Sequence, residues 1–326
     1  MSSIEWTEQT WNPTTGCDRI SDGCTNCYAL TMAQRLKGMG SAKYQTDGDP
    51  STSGPGFGLA MHQDTLTDPL GWKKPRKVFV NSMSDLFHKD VTSEFIAQVF
   101  AVMALTPQHT YQLLTKRHGR MRSLLNNDAF HLSVLAWTAR QQDEKHPMPA
   151  WNPGARLLKT WPLPNVWLGV SVEDQKRADL RIPALIDTPA AVRFLSCEPL
   201  LGPVRLTNQD HAQHQRDWDG ADWVCLDCST DDTTVPWRIT DPTNLGIAWT
   251  IIGGESGPGA RPLDTAWVTD LITDSRTIGA APFVKQLGSI WARDNHASDA
   301  KGGKPADWPE GLHVREYPTQ VVAVAS

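Results

Sequence analysis

Apolar positions along the chain gather in short, nearly unbroken runs, and most runs are followed by a stretch in which apolar residues recur every three or four positions. Unbroken runs suit strands covered on both faces, and the wider spacing suits helices buried on one side. The runs predict strands at Ile4–Thr10, Val78–Asn81, Tyr111–Thr115, Val166–Val172, Val192–Ser196, Trp249–Ile252 and Pro282–Gln286. The spaced segments predict helices at Tyr28–Lys37, Ser93–Leu105, His118–Asn126, Asp174–Asp187 and Asp264–Arg276, several opening on a Ser or Asp cap. Strand and helix in alternation imply parallel strands joined by crossovers. The expected fold class is therefore α/β, a partial TIM-type β/α barrel formed by one domain over residues 1–326, with an open doubly wound sheet as the competing arrangement. Three segments break the pattern: 41–71, rich in Gly, Pro, Ser and Thr; 132–163, with Trp and Pro; and 206–245, which is polar. They are expected to be insertions covering the working face.

The chemistry concentrates just after the first predicted strand, where Cys17, Cys24 and Cys27 are spaced C-x6-C-x2-C within WNPTTGC and GCTNCY. Three thiolates can hold three irons of a [4Fe-4S] cubane and leave the fourth open to a small molecule. Gly16 and Gly23 would let the backbone wrap the cluster. A zinc site is the competing reading, because Cys225 and Cys228 could complete a four-thiolate set. Cys197, alone within a predicted strand, reads as a small apolar filler.

Bulk composition narrows the setting. Of 326 residues 40% are apolar and 21% charged, ordinary for a globular protein with a sizeable core. No run nears the roughly 18 apolar residues of a membrane span, and the N-terminus lacks the form of a signal peptide, so a cytoplasmic protein with no membrane partner is expected. In that compartment clustered cysteines favour metal or redox chemistry over disulfides. A net charge of −5 gives no general attraction for nucleic acid.

In a β/α barrel the reacting groups lie at the carboxyl ends of the strands. Reading those positions gives Asn81, Ser84 and Asp85; Thr115, Lys116 and Arg117; Ser171 and Glu173; Cys197 and Glu198; Gly253, Gly254 and Glu255; and Lys285 and Gln286. Asp85, Lys116 and Glu198 are the catalytic candidates. Lys116 and Arg117 suit a carboxylate or phosphate. Ser171 and Glu173 share a strand face and could bind a ribose or methionine group. His62, His88, His118 and His131 show no paired metal spacing.

A three-cysteine loop after the first strand of a partial barrel resembles the radical S-adenosylmethionine superfamily, here in expanded form. More closely, the blocks WNPTTGC, NSMSDLFH, LLTKR, WLGVSVE, RFLSCEPLLGP, IIGGESG, FVKQLG and GKPADWPEGLHVREYP resemble an uncharacterised phage three-cysteine protein family. These resemblances imply a [4Fe-4S] cluster, S-adenosylmethionine as cofactor and an electron donor as partner. They imply an enzyme that generates a 5′-deoxyadenosyl radical. They also imply cofactor contacts at Tyr28, beside the third cysteine, and at Gly253, Gly254 and Glu255, a Gly-Gly-Glu segment similar to the one that holds the methionine amino group. The phage context points to a nucleotide or nucleic-acid substrate, for modification or repair. Two other classes compete: a metal-stabilised binding or adaptor protein, and a zinc-dependent barrel hydrolase or lyase using Asp85, Glu173, Glu198 or Glu255.

Overall fold

The computed structural model describes residues 4–145, 161–207, 216–218, 223–225 and 245–319. In chain order the strands are β1 (Gln9–Trp11), β2 (Thr14–Thr15), β3 (Ala60–Met61), β4 (Lys77–Val80), β5 (Thr110–Thr115), β6 (Val166–Ser171), β7 (Val192–Cys197), β8 (Arg216–Trp218), β9 (Trp223–Cys225), β10 (Trp249–Gly253) and β11 (Ala281–Gln286). The helices are α1 (Tyr28–Gly38), α2 (Ser93–Leu105), α3 (His118–Leu125), α4 (Asp128–Lys145), α5 (Gln175–Ile186), α6 (Thr265–Thr277) and α7 (Ser289–Asp294). Seven strands form one sheet in the order β1-β4-β5-β6-β7-β10-β11. Pairs β1/β4, β4/β5, β5/β6 and β10/β11 run parallel. The succession of parallel strands and intervening helices is that of a partial β/α barrel. Strands β2 and β3 form a separate antiparallel ladder, as do β8 and β9.

The chain divides into two compact units. The first comprises Met1–Ser171, Asp187–Phe194 and Gly257–Gly259. Its core forms where Trp6 meets Phe79 and Phe194, with ring centroids 4.7 and 6.4 Å away. Gly169 is required there, since a Cβ would lie 2.4 Å from the Phe194 ring. Helix α2 starts at the Thr92 cap, whose hydroxyl accepts from Phe95 N, and is buried from Phe95 to Met103. Phe100 meets Phe130 of α4 at 5.6 Å. Large apolar side chains of this kind each contribute roughly 1.5–3 kcal/mol when fully buried.

The second unit comprises Val172–Ile186, Leu195–Ser256 and Ala260–Ser326. Trp249 and Phe283 on β10 and β11 stand 5.8 Å apart. Val268, Leu271 and Ile272 give α6 its buried face. Asp274 on the same helix is buried and accepts from Leu206 N and Thr207 Oγ1 at 2.7 and 3.0 Å.

Three expectations are corrected. The first strand begins at Gln9, because Thr7 N turns back to Ile4 O and Trp6 is drawn into the core. Part of the expected insertion at 132–163 belongs to helix α4, whose Phe130, Val134 and Thr138 are buried at four-residue intervals. Segment 41–71 packs behind the cysteine loop: Tyr44 and Phe57 are buried beneath Cys17 and Cys27, and β3 pairs with β2. Most of segment 206–245, with Cys228, lies outside the described residues. Among the described residues no helix is long and apolar enough to cross a membrane.

Candidate functional site

Cys17, Cys24 and Cys27 all lie in the first unit, between β2 and α1. Gly16 turns the chain at φ +88°, and a Cβ there would sit 2.1 Å from Gly58 O, so only glycine fits. Gly16 N donates to Met83 O at 3.0 Å and Cys17 N to Phe57 O at 3.3 Å, which pins the loop between two segments. Cys24 closes a single 3-10 turn, Asp22–Cys24. Cys27 is the cap residue of α1. All three are free thiols of intermediate burial. Cys17 and Cys27 rest on an apolar bed of Ala29, Ala33, Tyr44, Phe57 and Met83.

Each sulfur has a nearby donor. Arg117 Nη1 lies 3.3 Å from Cys17 Sγ. The Ser21 hydroxyl lies 3.8 Å from Cys24 Sγ. Leu30 N, in the first turn of α1, donates to Cys27 O at 3.1 Å, and the N–H groups of Ala29 and Leu30 favour the Cys27 thiolate. Burial pushes the Cys17 thiol up to about 12 against the pull of Arg117. Burial likewise raises Cys27, opposed by the Ala29 N–H and the charge of Lys116. Cys24 acts electrostatically on both other cysteines. The sulfurs do not meet at one point, however. Among the described residues the trio of metal-ligand atoms lying within 4.8 Å of one another is Asp18, His88 and Asp90.

That trio is a clamp on an imidazole. His88 Nε2 lies 3.0 Å from Asp18 Oδ2, while its Nδ1 accepts from Asp90 N at 3.3 Å, with the Asp90 carboxylate 3.7 Å away. Asp18 also accepts from Thr52 and Ser53 at 2.8 and 3.3 Å. Its carboxyl is held below the usual range: those hydrogen bonds and His88 outweigh the opposing effect of burial, the largest single influence.

Asp85, a catalytic candidate by sequence, is a structural hub. It is 5% exposed. Its oxygens accept from Thr115 Oγ1, Phe87 N, Lys116 N and Arg117 Nη1 at 2.7, 3.0, 3.0 and 3.1 Å. Four donors fill the roughly four acceptor sites of a carboxylate. Arg117 also donates from Nη2 to Asp18 O at 3.1 Å, so its fork is engaged inside the protein.

Asn81, just past β4, is buried; its Nδ2 donates to Thr14 Oγ1 at 2.8 Å. Among the described residues its Oδ1 has no partner. Beside it Asn12 Oδ1 accepts from Ser82 N and Met83 N, tying WNPTT to NSMSD. Tyr28 opens α1, 54% exposed, with its hydroxyl on Ser82 O. Ser171 is buried at the end of β6.

The remaining expected residues lie in the second unit. Glu173 is buried and paired with Arg181 at 2.8 Å. Glu255 accepts from Arg261 Nη2 at 2.6 Å. Gly253 and Gly254 have packing reasons: a Cβ on Gly253 would lie 3.3 Å from Glu198 Cδ, and one on Gly254 2.5 Å from Leu287 O. Glu198 pairs with Lys285 at 2.6 Å. Cys197 is fully buried, and burial raises its thiol further than the nearby Glu173 does.

Sequence reasoning missed Asp18 and its pairing with His88. They stand 70 residues apart, and neither has a spacing partner. His88, which shows no paired metal spacing in the sequence, is buried to 2% exposure.

These features define a mixed α/β protein with a parallel seven-stranded sheet and three free cysteines in its N-terminal loop. The chain belongs to the family described as "Protein of unknown function (DUF5131)", which it matches over residues 1–317. No curated protein and no solved structure matches it.

Proposed function

We propose that the chain is a radical S-adenosylmethionine enzyme that holds a [4Fe-4S] cluster on Cys17, Cys24 and Cys27. The observation that carries this reading is a loop that places three free thiols between β2 and α1, with Cys17 and Cys27 over an apolar bed and the Arg117 guanidinium 3.3 Å from Cys17 Sγ. Donors aimed at ligand sulfurs and a dry floor are what an iron–sulfur site needs.

The donor set fits the cofactor as well. Asn81 Oδ1 is a buried acceptor without a donor, and such an atom is costly unless something supplies one. An ammonium, such as that of the methionine portion of S-adenosylmethionine, supplies it. Asn81 is tied through Thr14 to the strand that runs into Cys17. Tyr28 offers an exposed ring face beside Cys27, suited to stacking on adenine. Lys116 brings positive charge near Cys27 and suits a carboxylate. Glu173 and Glu255 are already paired with arginines, so the reading rests on the first unit.

With its cofactor and one electron from a donor, such a cluster supplies cleavage of the sulfonium carbon–sulfur bond, giving methionine and a 5′-deoxyadenosyl radical. The chain's own part is to orient the cofactor through Asn81 and Tyr28 and to exclude water with Tyr44, Phe57 and Met83. The test is anaerobic incubation of the reconstituted protein with dithionite and S-adenosylmethionine, followed by chromatography. 5′-Deoxyadenosine is expected; its absence from protein with a full cluster would overturn the cofactor assignment.

A further inference from the structure

We propose that Arg117 sets the reduction potential of the cluster through its hydrogen bond to Cys17 Sγ. This rests on the cluster reading above and adds a positioning residue to it. Different groups address the three sulfurs: the Ser21 hydroxyl stands 3.8 Å from Cys24 Sγ, the N–H groups of the first turn of α1 favour the Cys27 thiolate, and the guanidinium lies 3.3 Å from Cys17 Sγ. Of these, only the guanidinium carries a full charge.

Its geometry is fixed from behind. Nη1 contacts both Cys17 Sγ at 3.3 Å and Asp85 Oδ2 at 3.1 Å, while Nη2 donates to Asp18 O at 3.1 Å. Asp85 is in turn fixed by Thr115, Phe87 N and Lys116 N, and Arg117 N donates to Thr115 Oγ1 at 2.9 Å. The side chain is 13% exposed, so water screens it little. A guanidinium engaged this fully is poorly placed to capture a substrate anion. It is well placed to stabilise negative charge on the sulfur next to it.

Reduction adds one electron to the cluster, and hydrogen bonds to its sulfurs are among the determinants of its potential. A fixed positive donor favours the reduced state. Removing it makes reduction harder, so the midpoint falls.

The measurement is anaerobic spectroelectrochemical titration of the full-length protein, wild type against R117Q and R117K, with iron and sulfide counted in each. R117Q removes the charge and keeps an amide donor; R117K restores the charge without the fork. The expected order of midpoints is wild type highest, R117K next and R117Q lowest. R117Q should lie about one decade in the reduction equilibrium below wild type, 59 mV for a one-electron couple. A merely structural role would lower iron content and leave the potential of the retained cluster unchanged. Equal potentials in whichever variants hold the cluster would overturn the role of Arg117 and leave the cluster standing. Wild-type protein without iron would overturn both, and the iron count separates the two results. Should R117Q fail to fold, R117M decides in its place, since it removes both charge and donor: a midpoint equal to wild type in cluster-bearing R117M contradicts the role of Arg117.

Discussion

Asp85 illustrates how a residue chosen for chemistry can turn out to hold other residues in place. Replacing it with Ala strands Arg117 beside Cys17 with no counter-charge, and loss of one partner from a buried pair costs about 3–5 kcal/mol. D85A is therefore expected to lower the free energy of unfolding by roughly that amount, as read from urea titration. Gly16→Ala tests the loop separately: it combines a left-handed backbone with a collision at Gly58 O, and should abolish cluster uptake even where the protein remains folded. Two buried acids away from the loop predict a pH effect. Burial raises Cys197 above its ordinary 9.0 and Tyr111 above its ordinary 10.0. Between those values and the higher folded ones, the unfolded chain gives up protons that the folded chain keeps. Stability from this source is full below pH 9 and declines as pH rises beyond it. Unfolding at pH 8 and pH 11 should show the loss, and C197A with Y111F should flatten it; an unchanged slope in the double variant would refute this origin.

Helix α2 shows why the elements themselves were largely legible. Its cap, its length and its apolar run are all local, so the expected Ser93–Leu105 is the helix observed. Thr92→Ala removes the cap and should cost about 1 kcal/mol, seen as a lower midpoint in thermal or urea unfolding. The seven expected strands likewise appear in the sheet, since parallel strands covered on both faces announce themselves as apolar runs. The misses are tertiary in origin. Trp6 reads as strand but leaves the ladder to pack on Phe79. Helix α4 was concealed because its C-terminal part runs into the polar, Pro- and Trp-bearing stretch that follows, although its buried positions keep a four-residue step. Segment 41–71, rich in Gly, Pro, Ser and Thr, reads as an insertion over the working face, and nothing in that pattern foretells that Tyr44 and Phe57 pack against the cysteines. The cysteine spacing was visible from sequence. The donors around it were not, because Arg117 lies 100 residues from Cys17 and no local pattern links them.

At the scale of the whole molecule, one family spans residues 1–317, and the parallel sheet carries the cysteine loop at its N-terminal strands. The functional account depends on Cys17, Cys24 and Cys27 and on none of the other cysteines. Single changes of these three to Ala should each remove the broad visible absorbance of an iron–sulfur cluster, while C197A retains it; retention in any of the first three would move the ligand set elsewhere. The most direct measurement is metal and sulfide analysis of protein purified without oxygen. The account predicts about four irons and four sulfides per chain, bound to three thiolates. Zinc in a stoichiometric amount, with neither iron nor acid-labile sulfide, would contradict it.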